Sequence, residues 1–112
     1  AIINIDSVGA GAVSFITHEG VTRRLHADRR LVSQAKRTVR EQGSSVRGRE
    51  RMGASGDAVV ALTKGFRAMS VMAFDINDRL PNWHWHTDTV DAVSADTVEQ
   101  AVDFVSALVR DL

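Results

Sequence analysis

A chain of 112 residues is long enough for one domain with a real core, and it needs neither disulfides nor a structural metal to hold it together. It has no cysteine, which excludes a disulfide framework and a thiolate zinc site, and no apolar run near the roughly 18 to 20 residues of a membrane helix, so no membrane partner is expected. Its 14 basic and 14 acidic groups cancel overall but not locally: residues 23–51 hold ten basic groups against three acids, a local +7, and residues 75–112 hold eight acids against two arginines, a local −6.

The basic stretch suits either a nucleic-acid footprint or a solvated helix face balanced by acids elsewhere. No aromatic residue is interleaved with it, which favours the helix face, and no nucleic-acid partner is expected. Composition leaves the compartment open. The chain opens on Ala1 and runs straight into apolar residues, the expectation being a cut through a larger protein.

Ala1 to Ile5 is a short β-branched run broken by Asp6-Ser7 and two glycines, which predicts a buried strand with Asp6 at its carboxyl end. AVSFIT, residues 12–17, alternates weakly and predicts a second strand. From about Ala27 to Gln42 the apolar Leu31, Val32, Ala35 and Val39 share one face and arginines cover the other, with Gly43 as a left-handed cap. Residues 43–56, rich in Gly and Ser with a small strand-like centre, read as a loop. Asp57 to Lys64 predicts a short helix, RAMSVMAF (67–74) a strand ending at Asp75, and INDRLPN a polar turn. The closing segment carries Val98, Ala101, Val102, Val105, Leu108, Val109 and Leu112 on one helical stripe, with Ser94 as N-cap. Strands alternating with helices predict an α/β fold, a partial three-layer sandwich with a mixed sheet and flanking helices.

In open α/β sheets the working residues gather at the carboxyl ends of strands. Asp6, Asp57 and Asp75 fit that position by pattern, and "NWHWHTDTV" (82–90) follows the last of them. The tryptophan segment suits a metal site, a tryptophan-lined pocket or an aromatic plug. Taken singly, His84 reads as a packed, hydrogen-bonded histidine, Asp6 as a turn carboxylate, Asp57 as the N-cap of a helix beginning at Ala58, and Trp83 and Trp85 as core and rim of a loop. His18 and His26 show no ligand spacing and are assigned to the surface. Imidazole and carboxylate are the donors zinc takes when thiolates are absent.

Taken together, "INIDSVGAG", Ser55-Gly56-Asp57 before a helix, and "LPNWHWHTDTVDAVSADTVEQAVDFVSALVRDL" resemble the C-terminal half of the di-zinc aminopeptidases. That family also includes the glutaminyl cyclases and non-catalytic relatives such as the transferrin receptor ectodomain. Its closing signature is a histidine followed four and five residues later by Asp-Thr, which selects His84 with Asp88 and Thr89 rather than His86. The resemblance implies that Asp6 and His84 are ligands to different zincs of a two-metal site that cleaves N-terminal residues from peptides. Asp88 and Thr89 would be supporting groups, Trp83 and Trp85 walls of the substrate pocket, and Asp57 a departure, one residue being inserted between it and Ser55. The general base, the bridging carboxylate, the family's His-x-Asp and Glu-Glu motifs and the remaining ligands would lie in an absent N-terminal half; no Glu-Glu pair occurs here. The expectations are a C-terminal portion of a zinc peptidase domain that is inactive alone, holds no metal by itself, and dimerises through an exposed sheet edge. The competing expectation is a non-catalytic scaffold of the same fold.

Overall fold

The computed structural model describes residues 1–53 and 55–112, with strands β1 Ile2–Ile5, β2 Ala12–Gly20, β3 Leu25–His26, β4 Arg47–Met52 and β5 Ala68–Phe74. Helices are α1 Arg29–Gln42, α2 Asp57–Thr63 and α3 Ala95–Arg110, with a 3-10 turn at Val90–Ala92. β5, buried along its whole length, lies between β1, to which it is parallel, and β2, to which it is antiparallel. β4 runs parallel to β2, and β3 pairs antiparallel with His18 and Glu19 at the far end of β2. The sheet is therefore mixed, and the fold is α/β.

This topology sets the site edge. Because β1 and β5 are parallel, both end at the same edge, and β2 begins there with Ala12 opposite Phe74. The loop from β1 to β2 must pass the end of β5, and it does so at Gly11 (φ 94°), where a Cβ would come within 2.4 Å of the Phe74 carbonyl oxygen. Only glycine fits that approach without displacement.

Two unlike layers cover the sheet. On one face α1 and α3 enclose a core of Phe15, Leu31, Val71, Phe104 and Leu108, with the Phe15 and Phe104 rings stacked at 6.3 Å. The other face carries a small cluster, Ile16, Met72 and Phe74 with Leu80 against it, and Gly56, just before α2, sits over Met72. α1 starts where the Asp28 carboxylate accepts the Arg30 and Leu31 N–H groups at 3.1 Å each, and stops at Gly43 in the left-handed region. The Ser94 hydroxyl accepts the Thr97 N–H at 3.2 Å and starts α3 as expected.

Five expectations are corrected. β1 is not a buried strand: it lies at the sheet edge among the described residues, with Ile2 and Ile5 exposed. Residues 43–56 are not all loop, since they contain β4; RGRERM lacks apolar alternation, and its inward positions are arginines. The α3 stripe is rotated: Thr97, Ala101, Phe104 and Leu108 are buried, whereas Val102, Val109 and Leu112 are exposed. Asp57 is not the N-cap of α2; it is the first helical residue, and the cap is Gly56. His18 is half-buried, not a plain surface group: its ring meets that of His26 edge-on at 4.4 Å, and Nδ1 lies 3.3 Å from a Glu50 carboxylate oxygen.

Candidate functional site

β1 ends with one last rung, the Asp6 N–H donating to Val71 O at 3.0 Å, after which Ser7 turns the chain with φ 53°. The Ser7 hydroxyl donates to Asp6 Oδ1 at 2.9 Å, and Ser7 O accepts the Ala73 N–H at 3.1 Å. The half-buried Asp6 carboxylate is thus fixed to the carboxyl end of β1, beside β5.

The tryptophan segment reaches the same edge from β5. Asp75 Oδ1 accepts the N–H groups of Asn77 (2.8 Å) and Arg79 (2.9 Å), closing a turn that drops Leu80 onto the Ile16–Met72–Phe74 cluster. Tight turns follow, with Trp85 N–H to Asn82 O at 2.9 Å and Asp88 N–H to Trp85 O at 3.0 Å. They require left-handed backbone at Asn82 (φ 58°) and His84 (φ 62°), a conformation that costs a non-glycine residue about 1 kcal/mol or more. The segment is tied down at its far end, where the Ser94 N–H donates to Gly9 O at 2.7 Å.

Between these two stretches lies a crevice of about 70 Å³, lined by Ser7 and Gly9 on one side and by Asn82, Trp83 and Asp88 on the other. Trp83 also lines a second cleft of about 400 Å³, shared with Arg51, Phe74, Leu80 and Trp85. The Arg51 guanidinium stands over the Trp83 ring at 5.3 Å, and that of Arg49 over Phe74 at 5.3 Å. Arg49 also donates to Ser14 Oγ at 3.2 Å and pairs with Asp78. Burial and the Arg47 charge lower the Arg49 pKa, against the pull of Asp75.

The sequence-selected residues are only partly assembled. Asp6 and His84 are each one residue removed from the crevice, through Ser7 and Trp83. The exposed His84 ring lies flat on Trp83, with centroids 3.9 Å apart and planes at 21°. Asp88 lines the crevice, but among the described residues no hydrogen bond joins it or Thr89 to the His84 ring. Thr89 instead accepts the Ala92 N–H at its carbonyl and starts the 3-10 turn. Asp57 is exposed and lines neither cleft. Trp83 is 38% and Trp85 70% exposed, so the aromatic-plug reading fails and the pocket-wall reading keeps its geometry.

Asp6 and His84 are chemically suited to complete a divalent metal's shell, yet among the described residues no three His, Asp or Glu side chains group to hold an ion. They fit as single donors, not as a closed site. His-x-Asp spacing, which the resemblance places upstream, also occurs here at His26-Ala27-Asp28 and His86-Thr87-Asp88. The former is structural. Burial pushes the Asp28 carboxyl up, but the Leu31 and Arg30 N–H groups and the Arg67 guanidinium outweigh it and hold its pKa below the usual value.

Sequence reasoning missed Arg49, Arg51 and a buried polar chain in which Asn4 donates to Ser70 Oγ (3.3 Å) and Ser70 to Glu19 Oε1 (2.8 Å). The period-two arginines of RGRERM were the one signal.

The fold is a mixed α/β sheet whose carboxyl edge carries Asp6 and His84, each next to a residue lining the same crevice. The chain belongs to peptidase family M28, whose model matches residues 1–109. No curated protein matches the sequence. Among solved structures, the chain is similar to Campylobacter jejuni 5'-methylthioadenosine/S-adenosyl homocysteine nucleosidase (10% identity, TM-score 0.64, 91% of this chain and 62% of that one). It is also similar to futalosine hydrolase of Helicobacter pylori strain 26695, in a mutant form (11%, 0.67, 94% and 63%) and the native form (12%, 0.66, 90% and 60%). At such identities the likeness is one of fold alone, and the chain spans less than two thirds of each of these proteins.

Proposed function

We propose that this chain is the C-terminal portion of a zinc-dependent aminopeptidase-like hydrolase with a two-metal site, the remaining ligands and the general base coming from an N-terminal half. One observation carries the reading: in a member of this peptidase family, the loop after Asp6 and the segment bearing His84 close on a common crevice at the carboxyl edge of β1 and β5. Asp6 supplies one carboxylate donor and His84 one imidazole donor, to different metals. Bound zinc supplies Lewis-acid polarisation of the scissile carbonyl and acidifies a water. The cleft between Phe74, Leu80, Trp83 and Trp85 receives an apolar side chain of a peptide substrate, with Arg51 beneath it. Ser7, by donating to Asp6, keeps that carboxylate in place.

The chain alone lacks a base and most ligands, so it should not turn over aminoacyl-p-nitroanilides. The longer parent should do so in a chelator-sensitive way, and His84→Ala should abolish that activity. Chelator-sensitive hydrolysis by the 112-residue chain itself contradicts this division of the site. The isolated chain should also pair with a second copy along β1, which has no strand on its outer side among the described residues and leaves Ile2 and Ile5 exposed. A clean monomer by light scattering at high concentration opposes that.

The way His84 rests on Trp83, with no third donor near it among the described residues, favours a second reading, a non-catalytic scaffold of the same family. An upstream sequence lacking Glu-Glu and a strand-borne His-x-Asp decides for the scaffold.

A further inference from the structure

We infer that Arg51 is the positioning residue of this edge: its guanidinium fixes Trp83, and through Trp83 the ring of His84. The purpose assigned to that ring rests on the peptidase reading; the clamp itself does not.

Arg51 lies on β4 directly opposite Glu19 of β2, and both are deeply buried, at 8% and 1% exposure. The two charges flank Met72. Arg51 Nη1 is 3.3 Å from its sulfur, while a Cβ at Gly56 would lie 3.2 Å from its methyl and 3.5 Å from Glu19 Oε2. The Ser70 hydroxyl donates to Glu19 Oε1, and Oε2 has no hydrogen-bond partner among the described residues. A guanidinium at this depth requires compensation. It receives two, the polarisable Met72 sulfur and the face of the Trp83 indole at 5.3 Å; Glu19, opposite it on β2, forms no ion pair with it among the described residues.

The opposite end of this chain of contacts needs an anchor. His84 sits in left-handed backbone, is exposed, and has no hydrogen bond to its ring among the described residues. Its stack on Trp83 at 3.9 Å is what orients it. Strained backbone of this sort persists only where surroundings over-determine it. Support therefore runs from the sheet outward, Arg51 to Trp83 to His84. A guanidinium serves here better than an ammonium, because its plane can lie against an aromatic face.

The test uses the 112-residue chain and needs no metal. NMR of selectively labelled histidine reads the His84 ring signals, displaced by the Trp83 ring current, with His86 as an unstacked reference. Methyl signals of Leu108 and Val71 report the distant core. In Arg51→Met the His84 signals should move to the His86 positions while the core methyls stay, and in a Trp85→Phe background Trp83 emission should shift to the red. Arg51→Lys should give a partial displacement. Unchanged His84 signals in a folded Arg51→Met overturn the proposal. If that variant does not fold, wild-type His84 signals in Arg51→Lys overturn it instead. A parent that binds no zinc removes the peptidase reading but leaves these spectra unaffected.

Discussion

The two faces of the sheet are built on opposite principles. Under α1 and α3 the interior is apolar and continuous, with Phe15 stacked on Phe104 and Leu31, Val71 and Leu108 filling the space around them. Across the sheet Ile16, Met72, Phe74 and Leu80 form a smaller apolar cluster, and the same face buries Glu19, Ser70 and Arg51. Stability is concentrated on the first face. The second face gives up packing for charged and aromatic groups that hold a strained, exposed segment in position, and the sequence-selected donors are at its edge.

Substitutions on each face test this contrast. Phe104→Ala, deep in the first core, should cost about 3–5 kcal/mol, read as a fall in the urea midpoint at constant slope. A cost near that of a surface change would mean the dry face is not where stability resides. Gly11→Ala forces a Cβ into the Phe74 carbonyl at the site edge and should cost about 1–3 kcal/mol, with amide shifts confined to residues 6–12 and 74–94.

Asp28→Ala removes the cap of α1 and should cost about 1 kcal/mol at neutral pH. Because the Asp28 carboxyl titrates below its ordinary 3.8 when folded, its contribution is complete above that value and fades as pH falls through the folded pKa. The gap between wild type and Asp28→Ala should therefore close only below pH 3.8. Trp85→Ala, at an exposed rim, should change stability by less than about 0.5 kcal/mol, so any larger loss would make the second face a core after all.

What the sequence disclosed follows the same division. Ser94, Gly43 and the apolar face of α1 were legible because caps and 3.6-residue periodicity are local signals. The rotation of α3 was not, since its valines extend past the buried stripe and Thr97 is buried with its hydroxyl on Gly11 O. β4 showed only as a strand-like centre in a loop because Arg49 and Arg51 turn inward against Phe74 and Trp83, partners more than 20 positions away. Asp6 and His84 were selected by resemblance, and the topology brings their neighbours Ser7 and Trp83 together without itself completing a metal site.

Metal content is the most direct measure of whether this edge is half of a two-metal centre. Purified parent protein should carry two zinc ions per chain, and Asp6→Ala and His84→Ala should each lower the occupancy of one site, with the folded core unchanged. Full occupancy in both variants would contradict the account.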